Sequence, residues 1–295
     1  MPILEKGDAI RIVSTARKIS ESELKDTIQY IESKGFLATK GEHLYSSENQ
    51  FAGSDKERLE DLQDAIDDPS IKAIWIARGG YGTHRIIEDL DINSLTNNPK
   101  WIIGYSDVTV LHSYLNANAI QSLHATMPVN FANQSRESFE KLFEILNGGF
   151  PEYTIPSHTF NQAGKAKGKL LGGNLSILYS LTGTKLLGSF KDSILFFEDL
   201  DEYLYHIDRM MMNLKLSGVL GQIKGLIVGG LSDMNDNTIK YGKSAEEIVH
   251  EHMSKFQVPV CFGFPAGHQF ENMPLIFGRE ISMDVNKERV IISSI

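Results

Sequence analysis

Three short apolar runs near the start of the chain, each giving way to a helical pattern, set the strongest limit on its fold. They are "AIRIVST" (Ala9–Thr15), "IKAIWIAR" (Ile71–Arg78) and "KWIIGYS" (Lys100–Ser106). They do not alternate apolar with polar residues along their length, as a half-exposed strand does. Strands of this kind are covered on both faces, and helices between them supply the cover, so they read as parallel β-α units of one layered sheet. The helices are marked by their ends. Residues 20–35 start at a serine and stop at a glycine, and residues 54–69 run from a serine to a proline. "GGYGTHRIIEDLD" and "DVTVLHSYLNANA" read as two further helices.

The texture changes near residue 150. A short helix, Phe139–Gly149, closes the first part, and residues 150–168 are rich in Pro, Gly and polar side chains. Residues 1–150 therefore read as one domain, 151–168 as a crossing and 169–295 as a second domain. In the second, "KGKLLGGNLSILYSLTGT" reads as a strand, a double-glycine turn and a helix. "DSILFFEDL" is a buried strand ending in carboxylates, and "YHIDRMMMNLKLSGVLG" is a helix with Met210, Met211 and Met212 as core filler. "SAEEIVHEHMSKF" is a capped helix, and "PVCFGFPAGH" and "ERVIISS" close the chain as strands. The single cysteine, Cys261, lies among apolar neighbours and reads as a small buried hydrophobe.

Composition narrows the function. The formal net charge is −9 and no block of Lys or Arg stands out, which disfavours nucleic acid and anionic membranes as partners. No run approaches the ~20 apolar residues of a membrane span. The first residues lack a basic segment followed by a long apolar core, so a cytoplasmic location is expected. His250 and His252 are two apart on a helix and cannot face one metal, and no clustered Cys/His spacing exists, so no metal site is expected.

Two strand ends carry loops suited to chemistry, "ARGGYG" (Ala77–Gly82) and "GYSD" (Gly104–Asp107). Ligands of open parallel sheets gather at such ends. Ser106 stands at a strand-to-helix corner, where a hydroxyl projects above the sheet. The next amide, Asp107, points into the same space, and the Gly80 amide in the neighbouring loop can complete an oxyanion hole. The plain alternative is that Ser106 or Asp107 caps the helix. A nucleophilic serine needs a base, and two histidines compete. His124 lies in a loop of the first domain, and His268 lies in a Gly/Pro-framed loop after a strand. The base needs an orienting carboxylate. Glu198 and Asp199 follow an apolar run, and strand alternation lets only one of them face a site.

At this point the residues resemble the LD-carboxypeptidase family of serine peptidases, which includes murein tetrapeptide carboxypeptidases and microcin C self-immunity hydrolases. The likeness rests on an ordered series: "GDAIRIVSTA", "ARGGYG", "IIGYSD", "SLHATMP", "LLGGNLSIL", "FFEDLDEYLYHIDRMM", "IKGLIVGG" and "FPAGH". It implies a flavodoxin-like parallel-sheet first domain, a smaller β-rich α/β second domain and a site between them. It further implies a Ser106–Glu198–His268 triad, with the amides of Gly80 and Asp107 as oxyanion donors and no cofactor. Arg78 is then a candidate for the substrate carboxylate, with Asn174 and His124 lining the site. The implied substrate is a small peptide ending in a D-residue, such as murein tetrapeptide, and the implied assembly is a homodimer. The alternatives are an amidase of the microcin-immunity type and a non-catalytic ligand-binding protein that keeps the cleft.

Overall fold

The computed structural model describes residues 1–295. Its first half runs β1 (Ala9–Val13), α1 (Glu21–Ser33), β2 (Leu37–Lys40), α2 (Asp55–Asp67), β3 (Ile71–Ile76), α3 (Ser94–Asn97), β4 (Trp101–Gly104), α4 (Thr109–Ala117), β5 (Ser122–His124) and α5 (Arg136–Leu146). It continues through β6 (Tyr153–Pro156), β7 (Gly164–Asn174), α6 (Leu175–Leu181), β8 (Ile194–Leu200), α7 (Leu204–Leu216), β9 (Gly225–Ser232), α8 (Ala245–Met253) and β10 (Val260–Cys261). Strands β11 (Leu275–Phe277), β12 (Glu280–Val285) and β13 (Arg289–Ser294) complete it.

The first sheet has the order β11-β5-β4-β3-β1-β2, in which β1 to β5 are parallel and β11 pairs antiparallel with β5. This is the flavodoxin-like 2-1-3-4-5 order, with its ligand crevice where the strand order reverses, above the carboxyl ends of β1 and β3. Apolar clusters lie on both faces, one around Trp75, Phe139 and Phe143 and the other around Ile74, Ile102 and Val108. The helices α1, α2 and α8 each begin with a capping box, from Ser20 and Glu23, Ser54 and Glu57, and Ser244 and Glu247.

The second sheet has the order β10-β9-β8-β7-β12-β13-β6, parallel on the β10–β7 side and antiparallel on the other. Strand β6 and the start of β7 fall inside the segment expected to cross between domains. Three further expectations change. Residues 79–91 form two turns of 3₁₀ helix, Thr83–Arg85 and Ile87–Asp89, instead of one helix. Ile86, Ile87, Leu90 and Ile92 all enter the core.

The glycines Gly172 and Gly173 do not turn the chain, because β7 runs through both. A Cβ on Gly172 would stand 1.8 Å from the Phe196 carbonyl, and one on Gly173 would stand 2.4 Å from Thr109 Oγ1. Close approach of β8 and α4 is therefore what these positions require. Met210 and Met211 are buried as expected, whereas Met212 is exposed. Cys261 is buried, and desolvation pushes its thiol up to about 12.

Candidate active site

Ser106 sits at the corner between β4 and α4 with φ +64°, in the left-handed region that non-glycine residues avoid. The corner is tight. A Cβ on Gly104 would meet Val108 at 2.8 Å, and one on Gly79 would meet the Ser106 Cβ at 3.2 Å. Neither Ser106 nor Asp107 caps the helix. The Asp107 carboxylate accepts the Thr83 amide at 3.0 Å, and burial pushes its carboxyl above the usual range. That contact fixes the glycine loop beside the serine corner.

His268 reaches this corner from the loop after β10. Its Nε2 lies 3.1 Å from Ser106 Oγ, and its Nδ1 lies 2.6 Å from Glu198 Oε2. The His268 backbone amide donates to the same carboxylate oxygen at 3.1 Å. A carboxylate only accepts, so Nδ1 carries a proton and Nε2 is left to accept from the serine hydroxyl. Glu198 comes from β8 and has no exposed side-chain surface. Gly267, at φ +110°, allows this approach: a Cβ there would overlap Glu198 at 2.6 Å. Burial pushes the His268 imidazole down, but the charge of Glu198 and its hydrogen bond outweigh this, and the ring titrates above 6.5.

These groups open onto a cavity of about 580 Å³ between the carboxyl ends of the two sheets. Gly79, Gly80, Ser106, Asp107 and His268 line it. The Gly80 amide makes no internal hydrogen bond, so its donor is available there. The cavity is divided by charge. Arg17 and Arg78 stand on the side of the first sheet, whereas Asp199, Asp201 and Glu202 stand at the end of β8.

The remaining expected residues separate. Asn174 lines the cavity and caps α6, and its side-chain amide donates to Asp199 Oδ1 at 2.8 Å and to Glu198 Oε1 at 3.3 Å. Arg78 lines the cavity but holds Glu23 at 3.2 Å and the Lys18 carbonyl at 3.4 Å. His124 is fully buried among Tyr105, Phe196 and Phe277 and does not reach the cavity. Desolvation, then the neighbouring His112 and His268, hold its imidazole well below 6.5.

The expectation that only one of Glu198 and Asp199 faces the site also fails. The pairing of β8 with β9 slips between Phe197 and Asp199, and the local twist brings both carboxylates to the one Asn174 amide. Burial and then the Glu198 charge push Asp199 up to about 7. Sequence periodicity gives no sign of such a slip.

Comparison with known proteins bears on the whole chain. The profile described as the LD-carboxypeptidase N-terminal domain matches residues 10–125, and that of the C-terminal domain matches residues 167–283. The chain is 30% identical to a Bacillus subtilis protein named "Probable murein peptide carboxypeptidase", over 99% of this chain and 93% of the relative. Its structure resembles that of a muramoyltetrapeptide carboxypeptidase from Oxalobacter formigenes with a TM-score of 0.89 and 26% identity, over 97% and 98% of the two chains. It is also 24% identical to the microcin C7 self-immunity protein MccF of Escherichia coli, over 98% of this chain and 94% of that one.

Proposed function

The chain belongs to the LD-carboxypeptidase family and is a serine peptidase; from that premise we propose that it cleaves the L,D bond that releases the terminal D-alanine of murein tetrapeptide. The observation that carries this reading is the hydrogen-bond chain from Ser106 through His268 to Glu198 at the cavity wall.

In the proposed reaction Ser106 Oγ attacks the scissile carbonyl while His268 Nε2 takes its proton. The carbonyl electrons move onto oxygen, and the amides of Gly80 and Asp107 face that oxyanion. One such donor contributes about 3–4 kcal/mol in enzymes of this type. His268 then protonates the leaving amine of D-alanine, and the acyl group remains on Ser106. Water, deprotonated by the same imidazole, frees the serine. Glu198 holds the ring in its reactive tautomer and stabilises the imidazolium. Asn174 positions Glu198 and Asp199, and His124 supports Tyr105 from beneath. No helix is long and apolar enough to cross a membrane. On the family likeness alone, the proposed setting is the cytoplasm, with released peptides as substrates and a homodimer as the assembly.

Asp201 and Glu202, with Asp199 beside them, give the wall at the end of β8 an acidic character that suits the free amine of a diamino acid. The test is a product analysis with murein tetrapeptide and with an aminoacyl-sulfamoyl adenosine. D-Alanine release is expected, falling at least ~10³-fold in Ser106→Ala with an unchanged melting temperature. Unchanged turnover by that variant would remove the nucleophile assignment. Cleavage of the sulfamoyl conjugate alone would move the protein to the immunity branch.

A further inference from the structure

A carboxypeptidase must hold a free terminal carboxylate next to the bond it cuts. Arg78 is the cavity arginine that sequence points to, yet its guanidinium is taken by Glu23 and by the Lys18 carbonyl. Glu23 in turn is fixed by the Ser20 amide and hydroxyl in the capping box of α1. Two more arginines nearby, Arg58 and Arg85, both pair with Asp55. Arg17 is different. It lines the cavity, is exposed, and its guanidinium forms no ion pair and no hydrogen bond.

The backbone of Arg17 is nonetheless held. Its amide donates to the Gly79 carbonyl at 3.4 Å, and it bridges Phe51 on the other side. Its side chain lies across Gly80: a Cβ there would stand 2.6 Å from Arg17 Cγ and Cδ and 2.9 Å from Nε. The same loop, one residue earlier, touches Ser106, where a Cβ on Gly79 would stand 3.3 Å from Oγ. The glycine loop is thus one backbone thick between the nucleophile and the arginine stem. In a peptide substrate, three bonds, or roughly 4 Å, separate the scissile carbonyl carbon from the terminal carboxylate carbon. A flexible guanidinium beside the oxyanion donor can cover that distance. The acids at the end of β8 exclude the carboxylate from the opposite wall and so fix the direction in which a peptide lies.

Resting on the peptidase reading above, we propose that Arg17, stacked along Gly80 at the ends of β1 and β3, is the residue that pairs with the terminal carboxylate of the substrate. The requirement for glycine at position 80 follows, since any side chain would displace this arginine as well as strain a backbone at φ +115°.

The test uses full-length protein and two probes, N-acetyl-L-lysyl-D-alanine and its C-terminal amide. Binding is measured by calorimetry in the Ser106→Ala background, where no turnover occurs. With Arg17 present, the acid is expected to bind at least ~10-fold more tightly than the amide. Arg17→Ala brings the acid down to the level of the amide and leaves the amide unaffected, and Arg17→Lys restores part of the preference. Arg78→Ala reduces the preference less than Arg17→Ala does. The proposal falls if Arg17→Ala keeps the acid-to-amide ratio, if it weakens both probes equally, or if the acid does not bind. Turnover by the chain with Ser106 intact is read separately. Binding of the acid through Arg17 without its hydrolysis would sink the peptidase reading and leave the anchor standing.

Discussion

Ser106 occupies a backbone conformation that costs an L-residue about 1–2 kcal/mol, and the strain aims its hydroxyl at His268. Ser106→Gly is therefore expected to raise stability by roughly 1 kcal/mol while abolishing peptidase activity. Chemical denaturation checks this, and a loss of stability would contradict it. The imidazole gives a second expectation. In the proposed mechanism His268 must be neutral to act, and Glu198 holds the protonated ring to a higher pH than burial alone would. kcat/KM should accordingly rise with pH through a midpoint above 6.5. Asp199 titrates near the same range, at about 7, so the limb belongs to the coupled pair. Glu198→Gln removes the two largest influences that raise His268 and leaves desolvation opposed only by the smaller pull of Asp199, so the limb should move to lower pH. The rate should also fall by as much as ~10⁴-fold. A pH–rate profile of the variant whose limb stays in place would exclude this coupling.

At the scale of elements, glycines govern how closely backbone and site approach one another. Gly267→Ala would drive a Cβ into Glu198 at a left-handed position. A loss of about 2 kcal/mol or more is expected, together with a fall in kcat that exceeds the change in KM. Thermal melts and steady-state kinetics test it together, and wild-type values for both would contradict it. The elements show what sequence conveys. The helices α1, α2 and α8 were legible because Ser20, Ser54 and Ser244 each precede a glutamate by three residues, a local device. Ser106 and His268 were legible as groups in glycine-framed loops after apolar runs. Their grouping with Glu198 is readable from the residues only as one plausible set, and the resemblance over the whole chain is what singles it out, since no short spacing encodes a contact between residues 162 apart. Asp199 escapes the alternation rule because its strand slips in register there, which depends on β9 and not on β8 itself. Arg17 gives no signal in the sequence, because an arginine after a strand is ordinary until the pairing of its neighbours leaves it unclaimed.

At the scale of the molecule, the two sheets are tied by more than the Ser106–His268–Glu198 contacts. Strand β11 follows the His268 loop and adds to the first sheet, pairing Leu275, Ile276 and Phe277 with His124, Leu123 and Ser122. Strand β12 follows at once and joins the second sheet. One loop thus spans both halves and carries the imidazole. The whole chain should unfold in a single calorimetric transition, with the van't Hoff and calorimetric enthalpies equal. Two resolved transitions would show that the halves are independent. This threading also affects biosynthesis. The edge formed by Ser122–His124 stays bare on the ribosome until Phe277 emerges, roughly ten to thirty seconds later at ordinary elongation rates. During that interval the nascent first half presents an open β-edge, so the chain's dependence on chaperones should peak before Leu275–Phe277 emerges.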